Sequence, residues 1–179
     1  MNETKKVEPA YHEIQRVRQA WIWGVVTVIA GLAWCALARQ LLLRRPFGTT
    51  PIPDHALAVL WLIFGIGLPA LFLLGRLVTE VRCDGIYIRF IPFHRSFRRI
   101  AFEDVKRCQV RTYHPLLEYG GWGIRIGLKG KAYNVRGNRG VQLELRSGRR
   151  LLIGSQRPEE FLRAIRGESG RRWSEGDCR

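Results

Sequence analysis

Two stretches of this chain carry no charged side chain: Ala20 to Ala38 (AWIWGVVTVIAGLAWCALA) and Ala56 to Gly75 (ALAVLWLIFGIGLPALFLLG). They are 19 and 20 residues long. At about 1.5 Å rise per residue, a helix of that length covers about 30 Å, the thickness of a bilayer's hydrocarbon core. A helix of this length in a small soluble protein keeps a polar stripe, and neither run has one. The alternative is a buried hairpin in a soluble core, which the length disfavours. The runs predict a transmembrane helical hairpin over 20–75, with spans near 20–38 and 56–75. Leu41 to Leu43 extend the first helix if Arg39 snorkels outward.

The first 19 residues mix Glu3, Glu8 and Glu13 with Lys5, Lys6, Arg16 and Arg18, and no small-residue cleavage site closes the apolar run. That composition reads as a juxtamembrane tail over 1–19, partly helical, rather than a cleaved signal. Lys and Arg set the orientation. The tail has four, and Arg76, Arg82, Arg89 and Arg95 follow the second span, against Arg39, Arg44 and Arg45 on the linker side. Eight against three places both termini in the cytoplasm, in a multi-pass protein of the cell (inner) membrane, with RRPFGTTPIPDH as a short external turn. Tyr11, Trp21 and Trp23 suit interfacial anchoring.

Within the spans, Pro69 removes the backbone bond to the carbonyl of Gly65 and, with Gly65 and Gly67 nearby, predicts a bend. Thr27, Gly31 and Cys35 recur every four residues, a small face on which another helix packs closely. No ionisable residue lies in either span, which favours an anchor over a proton or ion pathway. The four cysteines (Cys35, Cys83, Cys108, Cys178) form no CxxC pair, and His12, His55, His94 and His114 offer no zinc spacing. The expectation is a reduced cytoplasmic domain with no metal and no cofactor.

From Leu77 the period changes from helical to alternating. LVTEVR, a CDG turn at Asp84-Gly85 and IYIRFI read as a hairpin, with Ile86, Ile88 and Phe90 on one face and Tyr87 and Arg89 on the other. SFRRIAF and VKRCQVRTY follow as short strands, and HPLLEYGG as a break. The stretch EYGGWGIRIGLKGKAYNVRGNRGVQLEL invites a phosphate-cradle reading. However, GxGxxG is missed by one position, Gly130-Lys131 is followed by Ala132, and a strand rather than a helix follows the glycines. Gly120, Gly121 and Gly123 instead flank Trp122 as a bulge or sharp strand entry, NVRGNRG turns, and VQLELR alternates again. Ser155 is a candidate N-cap for a helix opening at Pro158-Glu159-Glu160, with Phe161, Leu162 and Ile165 on its inner side. Residues 168–179 have almost no apolar content and read as a disordered basic tail.

The fold class is therefore α+β: a transmembrane two-helix hairpin, then an antiparallel β-roll or barrel over 76–167 with a C-terminal helix. The phrases VRCDGIYIRF, RRIAFEDV, YGGWGIR, NVRGNRGVQLEL and RRLLIGSQRPEEFLRAI resemble a bacterial pleckstrin-homology-like membrane protein family in which two membrane helices precede one such domain. The resemblance implies about seven strands capped by one helix. Members of the family are mostly uncharacterised.

In eukaryotic pleckstrin-homology domains the loop between the first two strands is basic and binds inositol phosphates. Here that loop is the tight, acidic CDG, so that pocket does not transfer. The segment from Arg76 onward nevertheless has 23 basic and 11 acidic residues, within a chain of formal charge +15, which suits an anionic leaflet or a solvated surface. Nucleic acid is not the expected partner, because Tyr113, Tyr119, Trp122 and Tyr133 sit beside glycine turns. Nor is an enzyme expected. His94, Ser96 and Asp84 are neighbours on a hairpin rather than convergent groups, and Glu103-Asp104 reads as a turn. The expected function is a non-enzymatic interaction or assembly module at the cytoplasmic membrane face, meeting a protein partner or a second copy. The alternative is anionic-phospholipid binding. Candidate lipid contacts are Arg95, Arg98 and Arg99; candidate partner contacts are Tyr119, Trp122, Arg125 and Asn134. For YGGWG, a strand bulge packed by an indole is weighed against a binding site.

Overall fold

The computed structural model describes residues 8–42, 53–127 and 130–174. Leu43, Arg44, Arg45, most of the expected external turn, Leu128, Lys129 and residues 1–7 and 175–179 lie outside the described residues. The chain is mixed α+β and divides into two units: Val17–Gly75, and the flanks Met1–Arg16 with Arg76–Arg179.

The first unit is helical. It contains α1 (Ala20–Leu42), followed by α2 (Asp54–Leu60), a π-helical stretch (Trp61–Gly67) and α3 (Leu68–Leu74), which run on from one another. Two helices, Ala20–Leu41 and Asp54–Leu74, are long and apolar enough to cross a membrane, and only 11% of each apolar window is buried. Just before Pro69, where a bend is expected, the helix passes through the π stretch, and the Leu68 N–H reaches back to Ile63 O. Pro69 has no N–H for the Gly65 carbonyl. The Trp34 indole supplies one at 3.3 Å, with the Trp34 and Trp61 rings edge to face at 5.1 Å. A Cβ at Gly65 would meet Trp61 Cδ1 at 2.9 Å, so only glycine admits both indoles.

Trp34→Phe keeps the ring and deletes the donor. It is expected to weaken the hairpin by about 1–2 kcal/mol, read as a lower denaturant midpoint for hairpin separation in micelles. The small face does not serve the hairpin. Val26 and Ala36 are buried, whereas Thr27, Gly31 and Cys35 are exposed and a Cβ at Gly31 would meet nothing within 4 Å.

The second unit holds two sheets. Sheet A is antiparallel throughout, in the order β1 (Tyr11–Arg16), β2 (Arg76–Arg82), β3 (Gly85–Ile91), β4 (Arg98–Ala101). The expected juxtamembrane tail over 1–19 is thus corrected: Tyr11–Arg16 is a sheet strand, with Tyr11 opposite Val81 and Arg16 opposite Arg76. The helical hairpin is inserted between two paired strands. The β2–β3 turn is Cys83-Asp84, since Arg82 pairs with Gly85. Gly85 opens β3 against the carbonyl of Ile100, where a Cβ would overlap it. Ile86, Ile88 and Phe90 are buried on one face, as their alternation predicts.

A 3-10 turn (Phe102–Asp104) leads into sheet B, which comprises β5 (Val105–Thr112), β6 (Gly123–Gly127), β7 (Gly130–Asn134), β8 (Arg139–Leu145) and β9 (Arg150–Gly154). Its order is β5-β8-β9-β7-β6. An all-antiparallel roll of about seven strands is corrected here: nine strands are present among the described residues, and β7 runs parallel to β9. A short helix, α4 (Pro115–Tyr119), replaces the expected break and ends at Gly120 with φ +68°.

The last helix, α5 (Pro158–Ser174), packs on β2, β5 and β8 and buries Phe161 and Ile165. It runs past Gly167, which corrects the expected disorder over 168–174. Ser155 is not its cap in the expected sense. Its hydroxyl accepts the Arg157 N–H at 3.0 Å and donates to Glu13 at 2.7 Å. Glu13 also accepts from the Tyr11 hydroxyl and, at 2.8 Å, from the Gln156 N–H, while Tyr11 stacks on Phe161 at 5.0 Å. Burial first, then the Glu13 carboxylate, pushes the Tyr11 hydroxyl pKa far up. A buried carboxylate with three donors fastens β1 to the start of α5.

Candidate functional site

The basic residues do not spread evenly over this second unit. β4 is a four-residue edge strand with Arg98 and Arg99 exposed. Across from it, β7 carries Lys131 and Tyr133, and the β8–β9 turn carries Arg149 and Arg150. Together these groups line a groove of about 400 Å³ floored by Ile88, Ile100, Leu145 and Leu151.

Two local features build its far wall. The turn after β8 is closed by Gly148 N–H to Leu145 O and Leu145 N–H to Arg149 O, both 2.9 Å, with Gly148 at φ +78°. That conformation favours glycine and brings two consecutive arginines to the rim. Gly130, at φ +110°, lies so close to the Arg150 carbonyl that a Cβ would overlap it. Glycine therefore sets the approach of β7, and hence of Lys131, to β9.

Asp104 is the acidic residue lining the groove. Arg99 is already engaged, pairing with Asp84 at 3.1 Å and donating to the Asp84 carbonyl at 3.1 Å. Arg149 reaches Ser147 at 3.3 Å, Lys131 lies 5.0 Å over the Tyr133 ring, and Arg98 makes one long contact of 3.5 Å to the Tyr133 hydroxyl. Among the described residues Arg98, Lys131, Arg149 and Arg150 have no carboxylate partner. Four cations sharing one concavity repel one another, and an anion entering it relieves that repulsion.

His94 registers this field. Its ring is 5.7 Å from that of Tyr133, and its Nδ1 accepts the Phe90 N–H at 3.2 Å. Desolvation, then Arg98 and Lys131, hold its pKa below the ordinary histidine value.

Of the residues singled out from sequence for lipid, Arg98 and Arg99 line the groove and Arg95 is exposed outside it. The four for a partner do not form one surface. Asn134 is fully buried, accepting the Gly123 N–H at 3.0 Å, and Tyr119 is buried against Tyr113, ring centroids 6.0 Å apart. Trp122 donates to Gly137 O at 3.3 Å and Arg125 to Trp122 O at 3.0 Å. This is the bulge-and-indole arrangement of the structural reading. Lys131, Arg149 and Arg150 were not singled out. SGRR does put two arginines behind a turn glycine, but nothing local to it tells which strand faces that turn. Asp84 lies in the turn before β3, held by Arg99 and Tyr87, whereas His94 and Ser96 follow the other end of that strand. Among the described residues no group of three His, Cys, Asp or Glu is placed to hold a metal ion.

A family model described as a family of unknown function (DUF6141) matches residues 3–170. No curated protein and no solved structure matches.

Proposed function

The chain belongs to this family of unknown function, and we propose that it is a membrane-anchored, non-enzymatic binding module whose groove takes a phosphate-bearing anion, with an anionic lipid headgroup as the occupant. The observation that carries this is the set Arg98, Lys131, Arg149 and Arg150, four cations without carboxylate partners among the described residues around one cavity of about 400 Å³. Arginine and lysine are the side chains that hold phosphate by charge-assisted hydrogen bonds. Anchoring is supported by two helices long and apolar enough to cross a membrane, with 11% of each apolar window buried. On this reading the bilayer covers what the protein leaves open. Pairing of Arg16 with Arg76 and the excess of Arg and Lys on those flanks support a cytoplasmic location for the domain. The two sheets with a C-terminal helix support reading that domain as a variant of the pleckstrin-homology-like roll.

A second reading, assembly with a protein partner, is favoured by Leu116, Leu117 and Ile126. These are 63%, 88% and 84% exposed on α4 and on the edge strand β6.

Histidine-selective NMR on the full chain in zwitterionic micelles tests the groove, with inorganic phosphate as the probe. In free protein His94 titrates below its ordinary value, so the fold loses stability as pH falls below about 6.5. Bound phosphate offsets the repulsion from Arg98 and Lys131 and is expected to move that titration upward. Lys131→Ala or Arg150→Ala is expected to weaken phosphate about tenfold, the worth of one hydrogen bond to a charged group. An unmoved His94 titration at saturating phosphate counts against the groove.

A further inference from the structure

We propose that the β3–β4 turn is a membrane-interface wedge, with Phe93 entering the headgroup region of an anionic bilayer. The strand register carries this. Arg16 is opposite Arg76, and Arg76 is opposite Ile91, so the turn that starts at Pro92 leaves sheet A at the end where the chain departs for the helical hairpin. Only Gly75 separates Arg76 from Leu74, the last residue of the second apolar helix. Covalent geometry therefore keeps the Arg76 Cα within about 7 Å of the Leu74 Cα, and the cross-strand neighbour Ile91 lies about 5 Å from Arg76. The headgroup layer is itself about 5–7 Å deep on each side of the hydrocarbon. The two Cα separations add to at most about 12 Å from the Leu74 Cα to the Ile91 Cα, near enough for an aromatic ring projecting from the turn that follows to meet that layer.

The turn has the chemistry of an interfacial contact. Phe93 is 63% exposed although its ring lies 5.8 Å from that of the buried Phe90. The exposure is held in place. His94 N–H donates to Phe90 O at 2.7 Å, Phe90 N–H to His94 Nδ1 at 3.2 Å, and Arg89 Nε to His94 O at 3.4 Å. Three hydrogen bonds thus fix a projecting aromatic before it meets its partner, which limits the ordering cost of binding. Arg16 and Arg76 lie at this same end of sheet A, and Arg95 is exposed in the turn itself. Arg16 and Arg76 are like charges directly opposed in the ladder, an arrangement that costs stability by itself and is relieved by phosphates. An apolar ring among cations is the composition of interfacial membrane contacts. The occupant is therefore a lipid surface. The inference rests on the membrane reading of the hairpin and not on the groove.

The test uses the full chain with Cys35→Ser, Cys83→Ser, Cys108→Ser and Cys178→Ser, reconstituted in phosphatidylcholine–phosphatidylglycerol vesicles. A nitroxide is placed in turn at Phe93→Cys, at Val28→Cys on α1 and at Leu117→Cys on α4. Collision with dissolved oxygen is compared with collision with a water-soluble nickel chelate. The expected result is oxygen-dominated broadening at 28, nickel-dominated broadening at 117 and, at 93, a ratio shifted from that at 117 toward that at 28. Oxygen dominance at 28 with a ratio at 93 equal to that at 117 overturns the wedge and leaves the anchor standing. Nickel dominance at 28 overturns the membrane reading itself. Should Phe93→Cys not fold, Ser96→Cys on the same exposed turn reads the same interface: a ratio there between those at 28 and 117 supports the wedge, and one equal to 117 overturns it.

Discussion

Joining Arg16 directly to Arg76 through an Asn-Gly pair is expected to yield a soluble, folded domain, whereas a fragment beginning at Arg76 is expected to aggregate. Arg16 and Arg76 are directly opposed in the antiparallel ladder, so a two-residue turn closes the β1–β2 hairpin in the observed register. Removing β1 instead strips the outer strand from β2 and uncovers the aromatic stack on Phe161. Tyr11 is 5% exposed. A tyrosine buries about 150–250 Å², and at about 25 cal/mol per Å² that represents about 4–6 kcal/mol, much of the stability of an ordinary domain. Amide dispersion in a proton–nitrogen NMR spectrum and elution volume on gel filtration distinguish the two outcomes. A well-dispersed, monomeric fragment lacking β1 would show that this strand is dispensable.

Glu13→Ala is expected to lower stability by about 3–5 kcal/mol, because it leaves buried donors on Tyr11, Ser155 and Gln156 without their acceptor. The natural control is the Arg139–Glu159 pair, whose side chains are 50% and 56% exposed. There Arg139→Ala is expected to leave stability nearly unchanged, because an exposed ion pair is screened by solvent. Urea midpoints of the joined domain measure both. Similar midpoint losses for the two substitutions would mean that Glu13 serves only as a surface pair.

The order of those effects also explains what could be read in the residues alone. The two long apolar helices are legible because a run of that length without charge has few alternatives to a helix. β3 is legible because Ile86, Ile88 and Phe90 alternate with Tyr87 and Arg89. β1 is not, because its buried face is Tyr11, Glu13 and Gln15 while its one aliphatic residue, Ile14, is 48% exposed. Its hydropathy alternates in the wrong sense, since a hydrogen-bonded carboxylate takes the place of a methyl cluster. α4 is hidden because HPLLEYGG, read as a break, is too short to show a helical period, and its Leu116 and Leu117 face outward. The groove was half legible. Arg98 and Arg99 are adjacent in sequence, but their meeting with Lys131, Arg149 and Arg150 depends on β7 lying parallel to β9, a pairing between strands that no local period encodes. The extension of α5 past Gly167 was missed because its final turns carry almost no apolar pattern, so helix continuation there rests on propensity alone.

The insertion of the hairpin between β1 and β2 bears on biogenesis. A ribosome delivers β1 first, and its ladder partner emerges only after the whole of Val17–Gly75 has been synthesised. If one span integrates and the other fails, the two strands are stranded in different compartments and sheet A has no way to zip. On the proposed membrane reading, completion of the sheet would then depend on both spans integrating, and a misinserted chain would be left with an unpaired β2.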